Sequence, residues 1–434
     1  MIARVAVLII IVGIAYYFGR VCVNLPAFGR LIPLSVVTVI IFPLLIWPEW
    51  GLYFVSLVSP ISNPRFVLGF AMLYTHQAVI AIGTFVVVAR FFSVRRRVAF
   101  SAMDVALVVF TLSILLSMLN SPDLKRSLKW LLYYSIFICS YYYLLLAVRE
   151  EVQLRRIFTF LAISASVICV LAFTSGRGRI AMPAIHTFFF KNPNAFGNYL
   201  VILASFLVCL LFYGDLGGVV RKLLAAALLL MGVAVVLTFS RSSWLGLLTG
   251  LLGINLVRPN PKAIAVVAVL IAAVFLFGPV QERIVEDIGD AGIQYRITKV
   301  KAAYALFQEH PFFGNGPGSF EHYAALSDEW ALSAHSSIEN LYMQLLSEGG
   351  LVQVAAFLFL VLTFIRQALL AVRKIQTPFL KAVVTGAIAS FLAMLGIGFG
   401  ENIFLFPKIN WLLAFFMAAV PVALQLEAEK GEEA

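Results

Sequence analysis

Charge is scarce in this sequence: Asp, Glu, Lys and Arg make up 12% of its 434 residues, against about a quarter in an ordinary soluble domain. No polar linker divides the chain, although a soluble protein of this length would normally split into about two or three domains. The four cysteines, Cys22, Cys139, Cys169 and Cys209, show no CxxC or CxxH spacing and sit mostly inside apolar segments. They read as small buried hydrophobes, neither disulfide partners nor metal ligands. Walker A, GxGxxG after a strand, HExxH and paired acids in DxD spacing are all missing, which disfavours nucleotide-driven and metal-dependent chemistry. Together these absences exclude a soluble enzyme, a secreted disulfide scaffold, a disordered tail and a nucleic-acid binder.

Apolar residues are abundant. They make up 62% of the chain, with a mean hydropathy of +0.99. They gather into runs of about 17–25 residues, the length of a membrane-spanning helix. The runs are 4–19, 31–58, 67–91, 103–119, 128–147, 156–173, 196–214, 222–239, 243–257, 263–280, 340–365, 380–400 and 404–424. Strands of a membrane barrel would alternate apolar and polar over about ten residues, which these do not. The expected fold is all-α, a polytopic transmembrane bundle of about 12–13 spans with one large periplasmic helical loop. Its parts are transmembrane helices over 1–280, a loop domain over 281–338, further transmembrane helices over 339–424 and a cytoplasmic tail over 425–434. With no small-residue cleavage site, the first run reads as a span and not as a removed signal peptide.

The formal charge of +11 belongs to short basic clusters between the runs. Arg95–Arg97, Arg149 with Arg155 and Arg156, Arg221 with Lys222, Arg258 with Lys262, and Arg366 through Lys381 fall on alternate connections, marking one side as cytoplasmic. Thirteen spans would place Met1 on the other side, against the preference of Arg4, so the N-terminal count is off by one. In the 281–338 segment, Ile293, Ile297, Val300, Tyr304 and Phe307 recur at helical spacing. They predict an amphipathic helix over 293–309 that ends before Pro311 and the turn GNGPG, with the apolar row as its buried face.

Several polar residues sit on the non-cytoplasmic side, where the charge rule does not put them. These are Arg177, Arg179 and Lys191 in 174–195, Arg241 in FSRSSW, and Arg296 in the predicted helix. Arg241 lies between two apolar runs with only serines beside it. It either snorkels to lipid headgroups or meets an anion, and guanidinium pairs with diphosphate oxygens at two points. In HSSIENLYMQLLSEGG, His335 and Glu339 are one helical turn apart. They form either a general-base pair or an exposed loop histidine followed by a carboxylate favoured by a helix N-terminus.

Four segments in order, KNPNAFGNYL (191–200), FSRSSWLGLLTG (239–250), YRITKVKAAYALFQEHPFFGNGPGSF (295–320) and ENLYMQLLSEGG (339–350), resemble the O-antigen ligase and polymerase superfamily of bacterial membrane glycosyltransferases. The resemblance implies an inverting, metal-independent GT-C-like reaction that needs no cofactor. A glycan would pass from undecaprenyl diphosphate to an acceptor hydroxyl at the periplasmic face of the inner membrane, with lipid A–core or another glycan as acceptor. Membrane lipids would be the other partners, and nucleic acid none. It implies catalytic roles for Arg241 and Arg296 on the leaving diphosphate and for His335 or Glu339 as base. Many relatives carry His-Asn where this chain has Glu339-Asn340, which leaves the base open between those two. Arg177, Arg179, Lys191, Asn192, Asn194, Asn340 and Glu401, in GFGENIF, are the expected substrate-binding residues. A ligase is favoured over a polymerase extending lipid-linked repeats. A glycan transporter or lipid flippase, with Asp104 and Glu401 as its membrane charges, is the reading from another class.

Overall fold

The structure, a computed structural model, describes residues 46–62, 65–68, 71–93, 101–175, 190, 192–259, 265, 269, 290–326 and 337–433. The expected runs at 4–19 and 263–280, and most of 31–58, lie outside them. The described elements in chain order are α1 (Glu49–Val58), β1 (Arg65–Leu68), β2 (Ala71–Tyr74), α2 (Thr75–Ser93), α3 (Ala102–Ser117), α4 (Leu124–Ala147), α5 (Glu151–Ser175), α6 (Pro193–Tyr213), α7 (Gly218–Leu237), α8 (Arg241–Val257), α9 (Asp290–Glu309), α10 (Ser319–Leu326), α11 (Leu341–Lys374), α12 (Pro378–Ile397) and α13 (Pro407–Glu433).

The chain is a polytopic helical bundle. Among the described residues, 9 helices are long and apolar enough to cross a membrane, and α8, with 17 residues, is just shorter. Among the described residues the exception to an all-helical fold is the antiparallel hairpin β1–β2, which pairs Arg65 with Tyr74 and Leu68 with Ala71. It occupies the front of the run expected as one span over 67–91, so that helix begins only at Thr75. A continuous apolar run does not by itself separate a strand from a helix.

Helix starts are written into the sequence. Asn192, Ser240 and Asn340 cap α6, α8 and α11 with their side chains, and Pro193 supplies the first residue of α6. Asp104 closes a capping box with Ser101 and also accepts a hydrogen bond from Tyr142 at 2.7 Å. It therefore serves the start of α3 and does not lie along the interior of a span. At the centre α6, α8 and α12 pack closely through small residues. A Cβ on Gly250 of α8 would come within 2.6 Å of Ser205 and 3.1 Å of the Ala389 carbonyl oxygen. Phe206 of α6 stacks on Phe416 of α13, ring centroids 4.4 Å apart.

The predicted amphipathic helix forms as α9, but its buried face is not the apolar row. Ile297, Val300 and Tyr304 are 39%, 40% and 51% exposed, whereas Ala302, Ala303 and Leu306 are buried with Phe320, Ala324 and Ile338. The alanines allow α9 to approach the start of α11 closely, which the bulkier row would prevent.

That start of α11 is an arm, broken from the rest of the helix at Gly350, where φ is +65°. The GNGPG turn fills the break. Gly316 N–H donates to Glu348 O, and Leu351 and Val352 donate to Pro311 O and Phe312 O at 2.9 and 3.0 Å. Asn315 donates to Leu306 O and Ser347 O. A Cβ on Gly350 would lie 2.5 Å from Phe312 O, so Gly350→Ala combines left-handed strain with a backbone clash. We expect it to cost about 2–3 kcal/mol, read as a fall in the thermal unfolding midpoint in detergent. Gly232→Ala, whose methyl group would meet nothing within 4 Å, is the comparison and should not lower it.

Candidate functional site

One end of the bundle carries most of the basic residues of the described connections, including Arg149, Arg155, Arg156, Arg221, Lys222, Arg258 and Lys381. Contacts among these connections, such as Arg155 to Asp215 O at 3.2 Å and Lys430 to Glu151 at 2.6 Å, hold that end together. The candidate site lies at the opposite end, where α6, α8, the arm of α11 and α13 all begin. Helix N-termini present unpaired N–H groups and a partial positive charge, which suits an anion.

Glu401, in the connection between α12 and α13, is 3% exposed and accepts a hydrogen bond from Asn194 Nδ2 at 2.6 Å. Its second oxygen takes no hydrogen bond among the described residues. Burial pushes its carboxyl up to about 7; the Asn194 amide opposes the rise, the Glu339 carboxylate adds to it, and Arg296 and Lys299 oppose it. These four groups are therefore near enough for Glu401 to feel them. Next to it, Asn402 is fully buried, and neither its Oδ1 nor its Nδ2 has a partner among the described residues.

Glu339 meets two cations of α9, Arg296 and Lys299. Lys299 Nζ lies 3.0 Å from Glu339 Oε1 and Arg296 Nε 3.6 Å from Oε2. The Lys299 side chain is only 5% exposed, that of Glu339 33%. Both oxygens of Glu339 are thus engaged. Asn340 caps α11 and donates to Phe399 O at 3.0 Å, and Leu341 N–H donates to Gly398 O at 2.9 Å. The arm is thereby tied to the connection that holds Glu401.

Arg241 is the first residue of α8 and is exposed. It follows Phe239, whose φ of +54° is unusual for a side chain of that size and lets α7 turn into α8 within three residues, 238–240. Behind Arg241, Ser243 Oγ donates to Asn198 Oδ1 at 2.7 Å and Ser242 Oγ does so at 3.3 Å, while Asn198 Nδ2 is buried without a partner among the described residues. A Cβ on Gly400 would lie 3.1 Å from Ser242 Cβ. The FSRSSW segment therefore packs directly on the connection beside Glu401. Asn192 accepts from Asn194 N–H at 2.8 Å as the cap of α6.

Four expected site residues, Arg177, Arg179, Lys191 and His335, lie outside the described residues. Three others were not singled out by the sequence. Lys299 resembles an ordinary solvent-facing lysine, and Asn402 sits in an apolar context. Asn198 carries a usable signal, since it repeats Asn194 one helical turn later, on the same face.

Residues 226–358, under a third of the chain, match the family described as O-antigen ligase (Wzy_C). That stretch contains Arg241, Arg296, Lys299, Glu339 and the GNGPG turn, but neither Asn194 nor Glu401. No curated protein matches the chain.

Glu339→Gln leaves the Lys299 ammonium buried without its counter-charge. We expect a loss of about 1–3 kcal/mol in detergent-solubilised protein, and the double variant Lys299→Met/Glu339→Gln should recover most of it. Equal loss in single and double variants would show that the pair does not hold α9 to the arm.

Proposed function

We propose that the protein is an inverting glycosyltransferase of the bacterial inner membrane, working at its periplasmic face. It would move a glycan from undecaprenyl diphosphate to a sugar hydroxyl, as an O-antigen ligase does with lipid A–core as acceptor. The observation that carries this reading is a buried carboxylate, Glu401, held by an amide at the end of the bundle where four helices begin. The family likeness of 226–358 and the multi-pass helical architecture support it.

In this reading the diphosphate rests against Arg241 and Arg296, with Arg177, Arg179 and Lys191 as further candidates. The polyprenyl tail runs into the membrane beside the helices. The acceptor hydroxyl attacks C1 of the donor sugar from the face opposite the phosphate. A C1–O bond to the acceptor forms as the C1–O bond to phosphate breaks, and C1 inverts. The hydroxyl proton passes to Glu401, and the leaving diphosphate gains one negative charge, which the guanidinium groups stabilise. Glu339 positions Arg296 and Lys299, because both its oxygens are already committed to them. Asn194 orients Glu401. His335 remains the other candidate for the proton. No nucleotide is consumed, since the donor diphosphate carries the activation.

Arg241→Ala should lower transfer from a polyprenyl-diphosphate donor by about a hundredfold or more in proteoliposomes, with the unfolding midpoint unchanged. Transfer at near wild-type rate would remove Arg241 from the diphosphate site. Offering lipid A–core or a lipid-linked repeat as acceptor separates ligase from polymerase.

Glu401 also predicts a pH dependence. Only its ionised form can take a proton, so kcat/KM should climb as pH rises through about 7 and level off above it. Glu401→Gln should remove that limb along with most activity. Stability should move the other way. A carboxyl whose pKa is raised on folding favours the folded state at low pH, and this contribution is lost as pH rises from its ordinary value of 4.5 through about 7.

A further inference from the structure

One turn of α6 touches both halves of the candidate site. Asn194 and Asn198 lie four residues apart on one face of the helix, with Gly197 beside them. Asn194 Nδ2 donates to Glu401 at 2.6 Å. One turn further along, Asn198 Oδ1 accepts from Ser243 Oγ at 2.7 Å and from Ser242 Oγ at 3.3 Å. These two serines directly follow Arg241 at the start of α8. Gly197 brings α6 close to the same segment. A Cβ there would lie 2.5 Å from Ser243 Oγ and 2.8 Å from Thr238 Oγ1, at either end of the stretch 238–243. The turn from α7 into α8 is therefore seated on Gly197 and Asn198.

That turn needs a seat. Phe239 holds a φ of +54°, and such a conformation persists only where the surroundings fix it. Here the fixing is done by hydroxyl groups. Ser240 N–H donates to Thr238 Oγ1 at 3.3 Å, and Ser240 Oγ accepts from Ser243 N–H at 3.4 Å as the cap of α8. Ser240 Oγ also lies 2.9 Å from Ser243 Oγ and 3.1 Å from Ser242 Oγ. Asn198 Oδ1 is the side-chain carbonyl at which this chain of hydroxyls ends. Ser240, Ser243 and Asn198 are all buried, so water does not compete for these bonds. The third side is closed by Gly400, next to Glu401, where a Cβ would lie 3.1 Å from Ser242 Cβ.

We infer that Asn198 is a positioning residue: with Gly197 it seats the α7–α8 turn, and so fixes where Arg241 stands relative to Glu401, which Asn194 holds from the same turn of α6. The inference rests on the proposed transfer reaction. There the acceptor attacks one face of C1 and loses its proton on that side, while the diphosphate leaves from the other. The proton's destination and the cation for the leaving group must therefore stand a set distance apart. A displacement of about 1 Å at either can cost about a hundredfold in rate. Side chains one helical turn apart have Cβ atoms about 5–6 Å from each other. Mounting both groups on such a pair ties their spacing to a rigid element. Asn198 touches neither the substrate nor the proton and acts through Arg241.

The test measures transfer from an undecaprenyl-diphosphate-linked glycan to lipid A–core in proteoliposomes, for each variant alone and combined with Arg241→Ala. Asn198→Leu removes both polar atoms at nearly constant volume. It should lower kcat about a hundredfold with KM within about threefold, because Arg241 acts on charge that develops as the diphosphate leaves. Gly197→Ala displaces the turn without altering the Asn198 side chain and should give a similar loss. Asn198→Asp keeps the accepting oxygen and should recover most of the activity. On the Arg241→Ala background, Asn198→Leu should cost less than about threefold more. The rising limb of kcat/KM should stay at about pH 7 in Asn198→Leu. It should move to higher pH in Asn194→Leu, which loses the amide that opposes the raised pKa of Glu401. Unchanged kcat in Asn198→Leu, a shifted limb in that variant, or full multiplication of its loss with that of Arg241→Ala overturns the proposal. Hydrogen exchange at the amides of 239–243 needs no donor and should speed about tenfold or more in Asn198→Leu. If that exchange rises while Arg241→Ala leaves transfer intact, the seat stands and the transfer reading has failed; unchanged exchange removes the seat itself.

Discussion

The break in α11 at Gly350 sets where everything else at this end of the molecule can be. A continuous helix from Leu341 to Lys374 would measure about 50 Å, well beyond a hydrocarbon layer of about 30 Å. Its first nine residues also carry Gln344, Ser347 and Glu348, which hydrocarbon would not tolerate. The chain therefore has to turn at the membrane's edge. A glycine in the left-handed region turns it, and the GNGPG backbone satisfies the amides and carbonyls that the break exposes. The arm so created holds Glu339 at one end and Glu348 at the other. Two glycine-rich segments that look like candidate loops for a ligand are spent on one another.

What hydropathy can report, the sequence reports well. Most described spans fall near the apolar runs, since a bilayer demands length and apolarity before anything else. Arg241 and Arg296 stand out in the sequence because they break the charge rule. Lys299 does not, since a lysine one turn from an arginine reads as a wet helix face until its burial against Glu339 is seen. The face of α9 was misjudged for a related reason. Periodicity finds the bulky apolar row, but close helix contact here is made by Ala302 and Ala303, and small residues weigh little in such patterns. The hairpin before α2 was hidden because its residues are as apolar as the helix that follows.

The two glutamates of the site show how one side-chain type is given two tasks. Glu339 is a third exposed and meets two cations, so its charge is spent on holding Arg296 and Lys299 in place. Glu401 is buried, meets an amide, and shares the field of the same cations at longer range. Exchanging their surroundings would leave the cations without an anchor and the buried carboxyl without a reason to keep its proton near neutral pH. An acceptor hydroxyl is a poor nucleophile until its proton has somewhere to go, and a carboxylate already gripped by Lys299 and Arg296 is a weak destination. In the proposed reaction it is therefore the environments, not the residue types, that favour Glu401 over Glu339 as the destination of the proton, and Glu401 lies outside the family-matched stretch.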